Sequence, residues 1–207
     1  MSSLICFSTD DFAVIGTDTL AVDGEGNPVL LSNKATYLPT IKTVICGTGT
    51  GGFHSRWAEF VNSRMILLDV ENLDYHAPSL LRSMWQEYKV EYGAGEQHTV
   101  TIYHVGLSQA SGGIKRFAYR STNDFKSEQI QHGWFYKPEC QLPEGSDVLD
   151  IIKEMMFEQR AIQDKKPRVE RIYIGGQINV IILERDCVRH MTIADFPDFP
   201  DVIDQLF

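Results

Sequence analysis

The amino-acid sequence predicts an α+β fold built on antiparallel sheets. Three observations lead to this class: strand-like runs fill roughly the first fifty residues, two amphipathic helical segments follow, and the chain then returns to strands joined by short turns. A doubly wound parallel sheet would need strands and helices that alternate along the chain. The order of elements therefore argues against that class.

The predicted strands are marked by apolar runs and by the turn formers between them. Strands are expected at 4–8, 12–22, 29–32, 42–47, 98–106, 114–121, 128–136, 170–174, 179–184 and 188–193. Asp10-Asp11 and the stretch from Asp23 to Pro28 are strong turn sequences, so the early strands should form two hairpins. The strands between 98 and 136 should form an antiparallel meander.

Three helices are predicted from apolar residues at helical spacing. The apolar face of the first is Phe53, Trp57, Phe60, Val61 and Met65. The second begins near Ser79, and its face is Leu81, Met84, Trp85 and Tyr88. The third has Ser146 as its N-cap, ends before Lys165, and its face is Val148, Ile151, Ile152, Met155 and Met156. All three faces are expected to pack into a core.

Composition narrows the classes of function. A chain of 207 residues is expected to form a single domain, residues 1–207. The formal net charge of -9 argues against general binding to nucleic acid or to an anionic membrane, because both need a basic surface. The apolar runs are too short to span a bilayer, so a cytoplasmic protein is expected. The four cysteines and six histidines are dispersed, so we expect no metal site and no cofactor.

A glycine-rich turn at 43–57 raises one specific possibility. Gly47, Gly49 and Gly52 fit the spacing G-x-G-x-x-G between a predicted strand and a predicted helix. In dinucleotide-binding proteins that spacing lets a backbone approach a pyrophosphate, and Asp69 lies at roughly the distance expected of a ribose ligand. Dinucleotide binding through the Gly47–Gly52 turn is therefore one candidate function, although the strands before and after it do not fit the corresponding fold.

The N-terminus suggests a different chemistry. Removal of Met1 from Met-Ser-Ser would leave Ser2 with both a hydroxyl and a free α-amine. An α-amine has a pKa of about 8, so near neutral pH it can accept the hydroxyl proton while the oxygen attacks an amide carbonyl. Such a site also needs a cation, a carboxylate that orients the cation, and a backbone N–H aimed at the developing oxyanion.

At these positions the sequence resembles the proteasome β subunit and its bacterial two-component relative, which are N-terminal nucleophile hydrolases. Asp18 ends the apolar-Gly-Thr stretch at 15–18, Lys34 follows on a later strand, and Cys46-Gly47 opens the glycine-rich turn. The steps from Ser2 to Asp18 and to Lys34 are those of the family. The resemblance implies a four-layer αββα sandwich of two antiparallel sheets.

The resemblance also implies roles and partners. Ser2 would be nucleophile and base, Lys34 the cation, Asp18 its orienting carboxylate and Gly47 the oxyanion donor. The expected activity is hydrolysis of peptide or amide substrates, and the expected assembly is a homo-oligomer, ring or stacked. A later Ser-Gly-Gly-like turn that the family uses is matched only by Ser111-Gly112-Gly113, which falls in a hairpin turn, so no role is assigned to it.

Two alternatives remain open at the level of sequence. The chain could be a catalytically inactive proteasome-like protein with a structural, assembly or binding role. The individual residues also have simpler explanations: Asp18 as a turn residue, Lys34 as a solvated charge at a strand end, and the glycines as positions where a helix packs closely on a strand.

Overall fold

Two five-stranded antiparallel sheets lie face to face in the computed structural model, which describes residues 2–206. The first sheet contains β1 (Leu4–Ser8), β2 (Phe12–Asp18), β10 (Gly133–Lys137), β11 (Gln177–Glu184) and β12 (Val188–Asp195). The second contains β5 (Ala35–Leu38), β6 (Thr43–Gly49), β7 (Val100–Leu107), β8 (Ile114–Arg120) and β9 (Ser127–Gln129). Their spatial orders are β10-β1-β2-β11-β12 and β5-β6-β7-β8-β9.

Helices cover the outer faces of both sheets. The helices are α1 (Phe53–Arg64), α2 (Val70–Tyr92), α3 (Val148–Asp164) and α4 (Phe199–Leu206). The apolar faces of α1 and α2 form one core with the second sheet, and α3 forms another core with the first sheet. A small ribbon of β3 (Leu20–Val22) and β4 (Pro28–Leu31) stands apart from both sheets.

Alternation of side chains along the strands produces the layers. On β1, Leu4 and Cys6 belong to the core between the sheets, whereas Ile5 packs with α3. On β6, Cys46 faces the other sheet, whereas Ile45 packs with α1 and α2. Each central strand therefore buries both of its faces. The predicted four-layer αββα sandwich of two antiparallel sheets is confirmed.

Two predicted strands are in fact interrupted. The run 12–22 divides after Asp18, because the N–H groups of Thr19 and Leu20 both donate to the carbonyl of Gly175 and the chain then enters the ribbon. The run 128–136 divides between the two sheets as β9 and β10. The second part starts at Gly133, whose φ of +101° suits glycine.

Other element boundaries also differ from the sequence prediction. The helix α2 starts at Val70 rather than near Ser79, because Asp69 caps it and Pro78 is tolerated inside it. The N-cap of α3 is Asp147 rather than Ser146, and its Oδ1 accepts from two backbone N–H groups of the first turn. Residues 170–174 are not a strand, and β5 and α4 were not predicted. None of the helices within residues 2–206 combines the length and apolar character that crossing a membrane requires.

Candidate active site

Asp18 is the centre of a buried polar cluster at the end of β2. Its side chain is fully buried. Its Oδ1 accepts a hydrogen bond from the backbone N–H of Ser3 at 2.9 Å. Its Oδ2 accepts from Lys34 Nζ at 2.8 Å and from the backbone N–H of Gly175 at 3.2 Å. One carboxylate thus ties together the start of β1, the residue before β5 and the turn before β11.

Lys34 is buried together with its partner, since only 5% of its side chain is exposed. Its ammonium donates to the carbonyl oxygen of Leu20 at 2.6 Å as well as to Asp18. The explanations of Asp18 as a turn residue and of Lys34 as a solvated strand-end charge are therefore wrong. Removing two charges from water costs about as much free energy as their attraction in the interior returns. A gain in stability is therefore a weak explanation for the buried pair of Asp18 and Lys34.

Ser2 lies between this cluster and open space. It is half-buried, directly precedes the anchored Ser3, and lines a cavity of about 480 Å³. Ser3 is fully buried, and its hydroxyl donates to the side-chain carbonyl of Gln159 on α3. The amide of Gln159 in turn donates to the carbonyl of Pro138. The backbone next to Ser2 is therefore fixed on two sides, while Met1, whose removal the sequence argument requires, lies outside the described residues.

Gly47 lies on β6, next to the end of the β5–β6 ladder. That ladder ends where Ala35 pairs with Cys46, so Lys34 and Gly47 are the next residues beyond its end. A Cβ at Gly47 would lie 2.8 Å from the Cβ of His54 and 3.1 Å from the carbonyl oxygen of Thr101. Close packing therefore explains why this position is glycine. Its role as an oxyanion donor remains a proposal.

His54 is a neighbour of the cluster that the sequence analysis did not single out. It lies on the first turn of α1 and is buried against Gly47. Burial lowers the pKa of His54 to about 4; a hydrogen bond with the backbone of Asn33 opposes this shift, and the charge of Lys34 adds to it. The imidazole is consequently neutral at pH 7.

The turn Ile174-Gly175-Gly176 is another element at the Asp18 cluster that sequence reasoning missed. Besides donating to Asp18, Gly175 accepts the backbone bonds that separate β2 from β3. Gly176 has a φ of +75°, and a Cβ there would collide with Thr19. A glycine pair directly before an apolar run was the available signal. The residue ahead of the pair is a buried Ile174, not a serine.

A second constellation of serine, histidine and carboxylate lies at the other end of β1. Ser8 Oγ is 2.9 Å from His132 Nδ1, and His132 Nε2 is 3.1 Å from Asp10 Oδ1. Because the carboxylate can only accept, Nε2 donates to Asp10, and Nδ1 is the ring nitrogen that contacts the serine hydroxyl. Ser8 is only 1% exposed, so a substrate cannot reach it. This arrangement joins β1 to the segment before β10.

The surroundings of the Gly47–Gly52 turn differ from those of a dinucleotide-binding site. The strand before it, β6, has antiparallel neighbours on both sides. The carboxylate of Asp69 is occupied on both oxygens, by the backbone N–H of Asn72 and by that of Gln109. Asp69 therefore serves as a helix cap. Among residues 2–206, no group of three or more His, Cys, Asp or Glu side chains is placed to hold a metal ion.

The structure resembles a solved structure of a mutant of Anbu from Hyphomicrobium sp. strain MC1. The match has a TM-score of 0.63 at 14% sequence identity and covers 99% of this chain and 92% of that chain. The fold is proteasome-like. No protein-family model and no curated protein matches the sequence.

These comparisons correct the recognition made from the sequence. The motifs pointed to the proteasome β subunit and its bacterial two-component relative, whereas Anbu is a similar solved structure, and its identity of 14% is low enough to show the fold alone. As a family assignment, the earlier prediction is wrong, because no family model supports it. Any activity must be argued from the residues of this chain.

Proposed function

We propose that the protein is an amide-bond hydrolase in which Ser2, after removal of Met1, is the nucleophile. The observation that carries the proposal is the buried contact between Asp18 and Lys34, on the same carboxylate that holds the backbone N–H of Ser3. The carboxylate that binds the Lys34 cation thus also binds the residue next to Ser2. Ser2 itself lines a cavity that could admit substrate.

Lys34 has hydrogen-bonding capacity left for this role. An ammonium has three N–H donors, and within residues 2–206 two of them are used, on Asp18 and on the carbonyl of Leu20. We assign the third to an oxygen of Ser2. A fixed positive charge at that place would favour the neutral form of the α-amine and the developing alkoxide of Ser2.

The proposed reaction has two stages. In the first, Ser2 Oγ bonds to the amide carbon while its proton passes to the α-amine of Ser2, and the carbonyl oxygen becomes an oxyanion near the Gly47 turn. The C–N bond then breaks, the leaving amine takes that proton, and an ester on Ser2 remains. In the second, water attacks the ester with the α-amine as base, which releases a carboxylic acid and restores the serine.

Intact-mass measurement on untagged protein tests the first requirement. The proposal expects a mass without Met1 and covalent labelling of Ser2 by a serine-reactive probe. Lys34→Ala should prevent labelling, and Lys153→Ala, which changes a partly exposed lysine on α3, is the matched control that should leave it unchanged. Retention of Met1 would overturn the proposal, and labelling that persists in Lys34→Ala would remove Lys34 from the mechanism.

A non-catalytic role in assembly is the second candidate. One reason is that the glycine pair at Asp18 follows the apolar Ile174, whereas the Ser-Gly-Gly-like turn mentioned above begins with serine. Another is that α2 exposes the apolar side chains of Tyr75, Val90 and Tyr92, which a partner subunit would cover. This alternative expects Met1 to be retained and the untagged protein to form a homo-oligomer. Light scattering combined with size-exclusion chromatography measures the second property, and a monomer that labels at Ser2 would contradict it.

A further inference from the structure

The cavity beside Ser2 is lined by both apolar and polar side chains. Its volume is about 480 Å³, within the range of small-molecule sites. The apolar lining is Val100, Pro138, Ile162 and Ile172. The polar lining includes Thr48, Thr101, Gln163 and Lys137. The strand β7, the end of β10 and the end of α3 therefore meet around the proposed nucleophile.

Lys137 is the cation that distinguishes this cavity. It ends β10, is half-buried, and within residues 2–206 has no carboxylate within 4.0 Å. The nearby Arg120 is already paired with Glu128. Burial, followed by repulsion from Arg120, lowers the pKa of Lys137, while Glu128 and Glu139 oppose the shift. An unpaired, partly desolvated ammonium gains more from an anionic ligand than a solvated one does.

The positive charge at Lys137 contrasts with the negative net charge of the whole protein. At a net charge of -9, the protein's overall field repels anions, so an acidic ligand needs a local cation to bind. The cavity lining also contains the exposed Lys166, which adds a positive charge to that of Lys137, and Glu139, which contributes a negative one. The local balance at the cavity is therefore positive, in contrast to that of the chain.

We infer that the cavity binds a carboxylate carried by the substrate close to the scissile amide, with Lys137 as its ion-pair partner. The aliphatic carbons of that part of the substrate lie on Val100, Ile162 and Ile172. This inference rests on the proposed amide hydrolysis and adds the substrate class: amides with an acidic side chain or a terminal carboxylate beside the cleaved bond. Lys137 is here a specificity-determining residue.

Binding can be measured without turnover in the Ser2→Ala protein. Calorimetry with N-acetylglutamate amide and N-acetylglutamine amide compares a carboxylate with its neutral isostere. We expect the carboxylate to bind about tenfold more tightly, as a charge-assisted contact would give. Adding Lys137→Met should abolish the difference while keeping the aliphatic stem, and Lys153→Met should preserve it. Equal affinities in the Ser2→Ala protein, both for this pair and for the second pair of ligands described next, would overturn the inference.

A second pair of ligands identifies the source of the carboxylate. N-acetylalanine and its amide differ only in a terminal carboxylate. A preference for N-acetylalanine that Lys137→Met removes assigns the cavity to substrates cleaved next to a chain end. A preference confined to the glutamate pair assigns it to acidic side chains. Circular dichroism and thermal melting of each variant establish that the fold is intact.

Turnover by the processed wild-type protein separates the two proposals. If glutamyl and glutaminyl amides of one fluorogenic amine are cleaved with equal kcat/KM and neither ligand pair shows a preference for the carboxylate, the carboxylate inference fails while the hydrolase proposal stands. If neither amide is cleaved but Lys137→Met still removes carboxylate binding, the hydrolase proposal fails while the cavity is confirmed as an anion site. A preference for the glutamyl amide that Lys137→Met removes supports both.

Discussion

The two ends of β1 carry similar side chains in opposite surroundings. At its start, Ser2 borders an open cavity and the charged pair of Asp18 and Lys34 is buried behind it. At its end, Ser8 is buried and the carboxylate of Asp10 is 77% exposed. A set of serine, base and carboxylate is therefore an insufficient sign of an active site. What matters is whether the serine is accessible and the charges are shielded from water.

Shielding matters because it sets the strength of electrostatic effects. A charge in a buried site acts through a lower effective dielectric than one at the surface, where water and salt screen it. Lys34 can therefore influence Ser2 in a way that Asp10 cannot influence Ser8.

The largest effect is expected from the two serines themselves. Ser2→Ala should lower amide hydrolysis by about three orders of magnitude or more, because it removes the attacking oxygen. Ser8→Ala should leave the rate within about twofold, since substrate cannot reach that hydroxyl. Fluorogenic amide assays on protein whose N-terminus has been verified by mass measure both. A large rate loss in Ser8→Ala would reverse the assignment of the two ends.

The buried ion pair should dominate the effects on stability. Lys34→Met leaves the carboxylate of Asp18 buried without its cation, which we expect to lower the free energy of unfolding by about 3–5 kcal/mol. The double variant Lys34→Met with Asp18→Asn removes both charges and should recover much of this loss. Urea denaturation measures each value. Breaking the exposed pair of Arg189 and Glu184 with Arg189→Met is the control, and it should cost about 1 kcal/mol or less.

Acid should destabilise the Lys34 end of the molecule through His54. Burial lowers its folded pKa to about 4 from 6.5, so below pH 6.5 the unfolded chain binds a proton that the folded protein does not. The contribution of neutral His54 to the free energy of unfolding is therefore fully present above pH 6.5 and is lost as the pH falls towards 4. Between pH 7 and pH 5 the native protein should lose about 2 kcal/mol more than His54→Gln. Urea denaturation at both values checks this, and parallel losses would contradict it.

The smallest effect is expected at the end of β1 that carries Ser8. His132→Ala removes hydrogen bonds to Ser8 and Asp10 and should lower the free energy of unfolding by about 1 kcal/mol. Hydrolysis by the native and variant proteins should be equal. Thermal unfolding and the amide assay together test this prediction. A loss of activity without a loss of stability would give this cluster a catalytic role.

Local sequence patterns predicted most of the fold, because alternation and helical spacing report which face of an element is buried. They found β1 and β8 nearly to the residue, and they found the apolar faces of α1 and α3. They failed where a distant partner ends an element. The carbonyl of Gly175 breaks the strand after Asp18, and the change of sheet at Gly133 divides another strand.

The spacing of Ser2, Asp18 and Lys34 could be recognised in the sequence alone, because these residues lie near one another along the chain. Only the tertiary structure decided that Asp18 and Lys34 form a buried pair, that Gln159 and Gly175 hold the neighbouring backbone, and that Lys137 borders the cavity. The contacts made by Gln159 and Gly175 join segments more than a hundred residues apart. Their formation depends on which strands become neighbours in the sheets, and a pattern within one strand carries no information about that choice.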